Sequence, residues 1–164
     1  MSSQAVSRRS FIGLAGIGSA ALLMFGRSGS SAAAMHFAVN RSPADWRRRL
    51  GAERYAVLRE AATEPPFSSP LLKEHRKGAF VCAGCANALF SSATKFESGT
   101  GWPSFWKPLA HAVVTRSDHS DLMERTEVLC ANCGGHLGHV FDDGPKPTGL
   151  RYCMNGLALN FRPA

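Results

Sequence analysis

Two C-x-x-C pairs constrain this chain more than any other feature of its 164 residues. Cys82 with Cys85 and Cys130 with Cys133 each follow a short β-forming run, and 44 residues separate the two pairs. Two residues between thiolates let one tight turn aim both sulfurs at the same ion, so the pairs predict a four-thiolate zinc site. Four thiolates leave no position for water or substrate, which indicates a structural metal.

The residues inside the pairs suit tight turns. Gly84 and Asn132 are types that accept unusual backbone angles, and we expect them to provide those angles here. Two disulfides are the alternative reading, because an exported chain meets an oxidising compartment. C-x-x-C cysteines are more typical of metal or redox sites than of structural disulfides, which favours zinc.

The fifth cysteine, Cys153, has no partner in this scheme. It lies in the segment Leu150-Arg151-Tyr152-Cys153-Met154-Asn155, between a cation and an amide. A thiol beside positive charge tends toward thiolate, and the thiolate is the nucleophile. We therefore predict that Cys153 carries the chemistry and that Arg151 favours its ionised form.

Residues 1–34 are typical of an export signal. Arg8 and Arg9 directly precede an apolar run over residues 11–25, and residues 31–34 are small, as a cleavage site requires. The segment resembles a twin-arginine signal, which implies export of the folded, metal-loaded protein to the periplasm. A retained anchor is the weaker alternative, because the run has 15 residues and a bilayer needs roughly 20.

Cleavage near Ala34 would leave 130 residues, the size of one domain. The signal contains three arginines and no acids, so the net charge would fall from +7 to +4. The longest basic run is Arg47-Arg48-Arg49. A charge this modest argues against nucleic acid as a partner, and we expect no stable membrane insertion after cleavage.

After a linker over residues 35–41, we predict one domain over residues 42–164 that starts with helices. Ser42 suits the N-cap and Pro43 the first helical position. Gly51 is expected to end this helix in a left-handed conformation, and a second helix is predicted over residues 52–62.

The rest of the chain predicts antiparallel β structure. Three prolines exclude regular structure from residues 63–70. From Gly78 onward, short β-forming runs alternate with turn residues. The predicted strands cover residues 79–81, 88–90, 112–114, 127–129, 139–141 and 157–161.

Two further segments carry candidate site residues. Trp102 lies in a glycine-containing loop, where its indole either fills the core or forms a wall for a methyl group on sulfur. His136, His139 and two aspartates lie within residues 134–144. Gly138 permits a β-bulge that turns both imidazoles toward one site, and their association with a spare cysteine favours an active site over a structural role.

In combination, these motifs resemble the B-type methionine-R-sulfoxide reductases. The resemblance rests on Thr63-Glu64, on both C-x-x-C pairs and on Gly99-Thr100-Gly101-Trp102-Pro103-Ser104-Phe105, residues 134–144 and Gly149-Leu150-Arg151-Tyr152-Cys153-Met154-Asn155. It covers the chain from about Trp46. It implies a mainly β fold of two small antiparallel sheets stapled by the zinc site, of the β-tent or Mss4-like kind, with short N-terminal helices.

The resemblance also implies the function and the residues that perform it. The substrate would be the R epimer of methionine sulfoxide, mainly in oxidised proteins, and the role would be repair of exported proteins. The implied catalytic residues are Cys153, His139, Asp143, Arg151 and Asn155, and the implied substrate-binding residues are Trp102, His136 and Phe105. A sulfoxide is attacked readily only if its oxygen is protonated or hydrogen-bonded, so we expect His139 to be the leading proton donor. The product would be methionine and a Cys153 sulfenic acid.

The sequence departs from this family at two positions. Many members carry a recycling cysteine at the position of Thr100, and serine is frequent at the position of Gly156. With four thiols assigned to zinc, Cys153 would lack a partner in its own chain. We therefore expect an external reductant, either a thioredoxin-like protein or a small thiol such as glutathione.

Two other functions stay open on the sequence alone. A non-catalytic zinc module would bind a ligand or peptide, and a thiol peroxidase or redox sensor would use Cys153 without selectivity. A binding module needs no activated thiol, and a methyl-binding wall at Trp102 argues against an unselective peroxidase. These features favour the reductase.

Overall fold

The computed structural model describes residues 35–120 and 124–164. The predicted export signal over residues 1–34 lies outside the described residues and stays a prediction. Within the described residues, no helix has the length and apolar character needed to cross a membrane.

The first element, α1 (Pro43–Glu60), is a helical segment that is broken at Gly51. The Ser42 hydroxyl caps its start by accepting a hydrogen bond from the Asp45 N–H at 3.1 Å. Gly51 has φ 71° and ψ 174°, so two short helices meet there, as the sequence predicts. The second part ends at Glu60, slightly before the predicted end, and Ala61 adopts a left-handed conformation.

In the described residues, nine strands form two antiparallel sheets. The smaller sheet contains β1 (Gly78–Cys82), β2 (Ala88–Ser91) and β9 (Leu159–Pro163), in the order β2-β1-β9. The larger sheet contains β3 (Lys95–Phe96), β4 (Ser104–Phe105), β5 (Val113–Asp118), β6 (Arg125–Cys130), β7 (His136–Phe141) and β8 (Arg151–Met154). Its order is β3-β4-β8-β7-β6-β5. The predicted fold class is confirmed.

An aromatic cluster joins the two sheets in the core. Phe105 of β4 stacks on Phe90 of β2 with ring centroids 4.4 Å apart, and it meets the edge of Phe80 of β1 at 4.9 Å. All three rings are fully buried. The same core contains the buried face of α1, formed by Trp46, Leu50, Tyr55, Val57 and Leu58.

The strand that carries Cys153, β8, was not predicted from the sequence. The segment Arg-Tyr-Cys-Met lacks the run of β-branched residues that marks a strand. It is extended because β4 pairs with it on one side and β7 on the other. The predicted strand over residues 157–161 starts too early, since Gly156–Ala158 forms a 3₁₀ turn before β9.

The four paired cysteines converge between the sheets. The sulfurs of Cys82 and Cys133 lie 3.7 Å apart, those of Cys85 and Cys130 lie 3.6 Å apart, and all four lie within 4.8 Å of one another. Four thiolates around a tetrahedral ion at about 2.3 Å would be separated by about 3.8 Å, whereas a disulfide needs about 2.05 Å. The arrangement therefore fits a four-thiolate metal site and not two disulfides.

Both cysteine turns have the same backbone form. The Ala86 N–H donates to the Cys82 carbonyl at 2.8 Å, and the Gly134 N–H donates to the Cys130 carbonyl at 2.9 Å. The residues with positive φ are Ala86, at 61°, and Gly134, at 66°. The predictions that Gly84 and Asn132 provide the unusual backbone angles are therefore wrong. In each turn, the residue with positive φ is the one that follows the second cysteine.

Strands β7 and β8 approach each other closely at Gly138. Its φ is 151°, and a Cβ atom there would lie 2.1 Å from the Cys153 carbonyl oxygen and 3.0 Å from the Met154 Cα. These neighbouring atoms belong to the backbone and cannot rotate away. Only glycine lets His139, the next residue, pair with Cys153 at this distance between strands.

We expect the purified protein to contain one tightly bound metal ion per chain in the cysteine cluster. Removing the ion with a strong chelator should lower the melting temperature sharply, because the binding free energy, on the order of 10 kcal/mol, contributes to folding. Elemental analysis and thermal unfolding before and after chelation test this expectation. Cys130→Ser should lose the ion, while Cys153→Ser should keep it. A metal-free protein with an unchanged melting temperature would contradict the cluster's role.

Gly138→Ala should destabilise the fold by about 3 kcal/mol through the forced separation of β7 and β8. The matched control is Gly149→Ala. Gly149 also has positive φ, at 73°, but a Cβ there meets no atom within 4 Å, so only the backbone cost of about 1 kcal/mol should appear. Denaturant unfolding of both variants measures the difference. Equal losses would show that the close approach carries no cost.

Candidate active site

Cys153 lies near the middle of the larger sheet, between two strands that contribute to the same site. Its cross-strand partners are Ser104 on β4 and His139 on β7. The partly exposed Cys153 side chain borders a cavity of about 150 Å³. The other lining residues are Thr63, Trp102, Arg125, Gly138, His139, Phe141 and Asn155. The strand pairing thus brings the predicted nucleophile, the predicted proton donor and the predicted methyl-binding indole to one cavity.

A bulge on β7 sets the positions of the two histidines. Gly138 and His136 pair with consecutive residues of β6, which leaves Leu137 without a partner in that strand. The two imidazole rings lie 5.5 Å apart, measured between centroids. The predicted bulge is confirmed, but His139 is the one of the two that lines the cavity.

The His139 ring is oriented by Asp118 at the end of β5. His139 Nε2 lies 2.7 Å from Asp118 Oδ2, and Arg125 donates to the same oxygen at 3.1 Å. Hydrogen bonds from Ser120 are the largest cause that holds the pKa of Asp118 well below its usual range. The ionised carboxylate only accepts hydrogen bonds, so we assign the Nε2 hydrogen to His139.

This assignment leaves His139 Nδ1 as the atom that exchanges a proton. Burial lowers the pKa of His139, and the nearby charges of Arg125 and His136 lower it further, against the opposing effect of Asp118. The ring is therefore neutral near pH 7, with a lone pair on Nδ1. It can accept a proton there and donate it only in the cationic form.

His136 belongs to a buried pair behind the cavity wall. Its Nδ1 lies 2.6 Å from Glu127 Oε1, and both side chains are buried. Burial raises the pKa of Glu127, but hydrogen bonds from His136 and Arg116 outweigh this effect and lower it. The structure therefore places His136 in contact with the His139 ring rather than on the cavity surface.

Arg151 and Asp143 form a bidentate pair beside the site. The Arg151 guanidinium donates to both Asp143 carboxylate oxygens at 2.8 Å and lies 4.4 Å from the centroid of the Phe141 ring. The Asp143 hydrogen bonds are the largest cause that raises the pKa of Arg151, and the charge of Cys153 adds to it. Asp143 is exposed and does not line the cavity, so its contact with the site runs through Arg151.

The buried Glu64 connects three parts of the site. Its N–H donates to the Asn155 side-chain oxygen at 3.0 Å, and its carbonyl accepts a hydrogen bond from the Trp102 indole N–H at 3.0 Å. Its carboxylate accepts the N–H groups of Gly156 and Leu157. One residue thereby fixes the indole wall, the amide and the 3₁₀ turn that follows β8.

Gly156, the smaller departure from the family pattern, has no space for a side chain. A Cβ there would lie 1.9 Å from Ser69 Oγ and 2.6 Å from Ser69 Cβ. The Ser69 hydroxyl accepts a hydrogen bond from the Leu71 N–H at 3.2 Å. The buried Ser69 side chain thus fills the space beside Glu64.

Phe105 corrects one expectation about the site. Its ring is fully buried between Phe80 and Phe90 and is absent from the cavity wall. It supports the strand that pairs with Cys153 but is not exposed to a ligand. Apolar position alone does not distinguish a pocket residue from a core residue.

Sequence reasoning missed Asp118 and did not assign the role of Glu64. Asp118 lies 21 positions before His139, in a polar segment with no distinctive pattern. Glu64 lies near the start of the predicted loop, directly before two prolines. Only the strand order and the chain path show that these carboxylates serve the site.

The four cluster cysteines lie apart from the cavity, and none of them lines it. A larger cavity of about 460 Å³ lies between α1 and β9, but its described lining contains no cysteine or histidine. The residues that combine a thiol, an imidazole and an aromatic wall are those around Cys153. The site therefore supports nucleophilic thiol chemistry on a small, partly apolar group.

Comparisons with known proteins agree with this arrangement. Residues 50–163 match the family model described as SelR domain. The chain is 54% identical over 129 residues to the peptide methionine sulfoxide reductase MsrB of Leptospira interrogans, covering 78% of this chain and 98% of the relative. It is 58% identical over 126 residues to the MsrB of Bradyrhizobium diazoefficiens, covering 76% and 91%.

A third relative extends the comparison. The peptide methionine sulfoxide reductase MsrB of Methanosarcina barkeri is 52% identical over 126 residues, covering 76% of this chain and 89% of the relative. The family model covers most of the chain, and each relative is matched over almost its whole length. The chain therefore belongs to the SelR domain family, together with the MsrB-type peptide methionine sulfoxide reductases.

Proposed function

We propose that the protein is a thiol-dependent peptide-methionine (R)-S-oxide reductase that acts mainly on oxidised proteins. The observation that carries the proposal is the placement of Cys153 opposite His139 in a cavity walled by Trp102. A nucleophile, a proton-exchanging group and an apolar wall for a methyl on sulfur are the parts that sulfoxide reduction needs. The relatives named MsrB support the same reaction.

The cavity favours the end of one flexible side chain over a large ligand. Its volume of about 150 Å³ is far below that of a drug-sized pocket. The Trp102 indole N–H donates to the Glu64 carbonyl, which holds the ring in place where it lines the cavity. The sulfoxide methyl packs on this ring and its sulfur meets Cys153.

The reaction transfers two electrons from the thiolate to the sulfoxide. Neutral His139 accepts the Cys153 proton at Nδ1, and the thiolate attacks the sulfoxide sulfur. This attack forms an S–S bond between Cys153 and the substrate, and His139 returns the proton to the oxygen as the S–O bond breaks, so the oxygen leaves as hydroxide. The hydroxide then attacks the Cys153 sulfur, and the S–S bond breaks with its electron pair going to the methionine sulfur. The products are methionine and Cys153 sulfenic acid.

Turnover requires thiols from outside the chain. The other four cysteines form the cluster, at mutual distances that suit a metal, and none of them lines the cavity that Cys153 borders. One external thiol condenses with the sulfenic acid to give a mixed disulfide and water, and a second thiol releases Cys153. A thioredoxin-like protein or a small thiol serves as the reductant.

Two parts of the proposal rest on the sequence and on ligand chemistry. Four thiolates at tetrahedral spacing suit Zn²⁺, which would hold the sheets together and supply no catalytic step. The leader resembles a twin-arginine signal, so we place the enzyme in the periplasm, where it repairs oxidised exported proteins.

The purified chain without residues 1–34 should reduce only the R epimer of a methionine sulfoxide peptide when dithiothreitol is supplied. Cys153→Ser should abolish turnover while keeping the metal content and the fold. Chromatographic separation of the two sulfoxide epimers measures both outcomes. Folded, metal-loaded protein that reduces neither epimer would overturn the proposed reaction, and turnover by Cys153→Ser would overturn the assignment of the nucleophile.

The pH dependence of sulfenic acid formation should report His139. Because burial lowers its pKa, His139 becomes cationic only below a midpoint under 6.5, where it can no longer accept the Cys153 proton, so the rate component that uses His139 as a base should increase as pH rises through this midpoint. His139→Gln should lack this component and be about a hundredfold slower in single turnover.

The variant Asp118→Asn tests the role of His139 in a second way, through the position of the pH midpoint. Asp118 raises the pKa of His139, so its neutral replacement should move the midpoint to still lower pH. Rapid-quench measurements between pH 5 and 9 follow the three proteins. An unchanged profile in His139→Gln would exclude His139 as the proton donor.

A further inference from the structure

We propose that Thr100, supported by Ser98 and Ser104, donates a hydrogen bond that stabilises the thiolate of Cys153. This inference rests on the proposed function, which makes Cys153 the nucleophile. It assigns a positioning role to three hydroxyl side chains, one of which stands where many family members carry a recycling cysteine.

The three hydroxyls form a continuous chain that ends at the sulfur. Thr100 Oγ1 lies 3.7 Å from Cys153 Sγ and 2.8 Å from Ser98 Oγ. Ser98 Oγ lies 2.7 Å from Ser104 Oγ, which lies 3.1 Å from the Trp102 carbonyl oxygen. Each contact is within hydrogen-bond range, since sulfur has a larger radius than oxygen.

Local backbone structure holds this chain in place. Ser104 is buried and pairs directly with Cys153 across β4 and β8. The Ser98 hydroxyl also accepts a hydrogen bond from the Thr100 N–H at 3.4 Å, around Gly99 with φ 74°. The turn and the strand therefore fix both ends of the chain relative to the sulfur.

The hydrogen bonds along the three hydroxyls can run in either of two directions, depending on whether Cys153 is protonated. A hydroxyl has one hydrogen, so a protonated Cys153 donates to Thr100, and the donations continue through Ser98 and Ser104 to the Trp102 carbonyl. A thiolate has no hydrogen to donate. All three hydroxyls then reverse, and Thr100 donates to the anionic sulfur. Hydrogen bonds to charged acceptors are stronger than neutral ones, so the reversed chain favours the thiolate.

The charged groups around Cys153 act alongside this chain. His139 on β7 pairs with Cys153, and Arg125 lines the cavity that Cys153 borders. Arg151 lies two residues before Cys153 on β8. From β4 the facing group is Ser104, which does not titrate. The hydroxyl chain thus provides a donor whose presence does not depend on the protonation of His139.

The test is the rate of alkylation of Cys153 by iodoacetamide as a function of pH, in metal-loaded protein and with the modified residue identified by mass spectrometry. Thr100→Val removes the hydroxyl and keeps the shape. It should slow alkylation at pH 7 roughly tenfold and move the half-maximal rate to higher pH. Thr100→Ser should restore the wild-type profile, and Ser98→Ala should produce a smaller change in the same direction.

Thr115→Val is the matched control, because Thr115 is exposed on β5 and does not line the cavity. Its alkylation profile should overlap that of the wild type. A Thr100→Val profile that overlaps the wild type would overturn the inference, as would a Thr100→Ser profile that matches Thr100→Val. Alkylation needs no sulfoxide, so protein that reduces neither epimer but shows the predicted shift would overturn the proposed function alone.

Discussion

The four-cysteine cluster is the constraint on which the two-sheet architecture depends. Cys82 ends β1 in the smaller sheet, and Cys130 ends β6 in the larger one. The longest strands have six residues and two have only two, so pairing between strands supplies little independent stability. A tetrahedral ion bound by both cysteine turns would fix the sheets relative to each other, and the aromatic cluster of Phe80, Phe90 and Phe105 fills the space between them.

Within this two-sheet architecture, buried polar groups hold the side chains of the site in position. Glu64 is 4% exposed, yet its carboxylate accepts two backbone N–H groups and its main chain contacts Asn155 and Trp102. A buried carboxylate is costly unless its hydrogen bonds are satisfied. Here the satisfied carboxylate and its main-chain contacts hold the indole wall and the amide at fixed positions, so the cavity is formed before a substrate arrives.

The sequence predicted the ligands of the cluster and the general fold, because these depend on local spacing. It also pointed to Cys153, His139 and Trp102 through motifs. It did not predict β8, whose extended form comes from its neighbours, nor the pairing of His139 with Asp118, which depends on the order β5-β6-β7. Phe105 belongs to a motif next to the site, yet its side chain is buried in the core. Whether a strand residue contacts the core or the cavity depends on which face of the strand it lies on, and the motif does not show this.

The distribution of charge around Cys153 follows from these pairings. Asp118 holds His139, Glu127 holds His136 and Asp143 holds Arg151, each carboxylate lying behind the group it contacts. The described residues that line the cavity include no aspartate or glutamate, whereas they include Arg125 and His139. A carboxylate on the wall would repel both the thiolate and the oxygen on which negative charge develops during S–O cleavage. Holding these three carboxylates one contact away keeps their orienting effect on the cationic and imidazole side chains, while no carboxylate of the described residues lines the cavity where the reacting atoms meet.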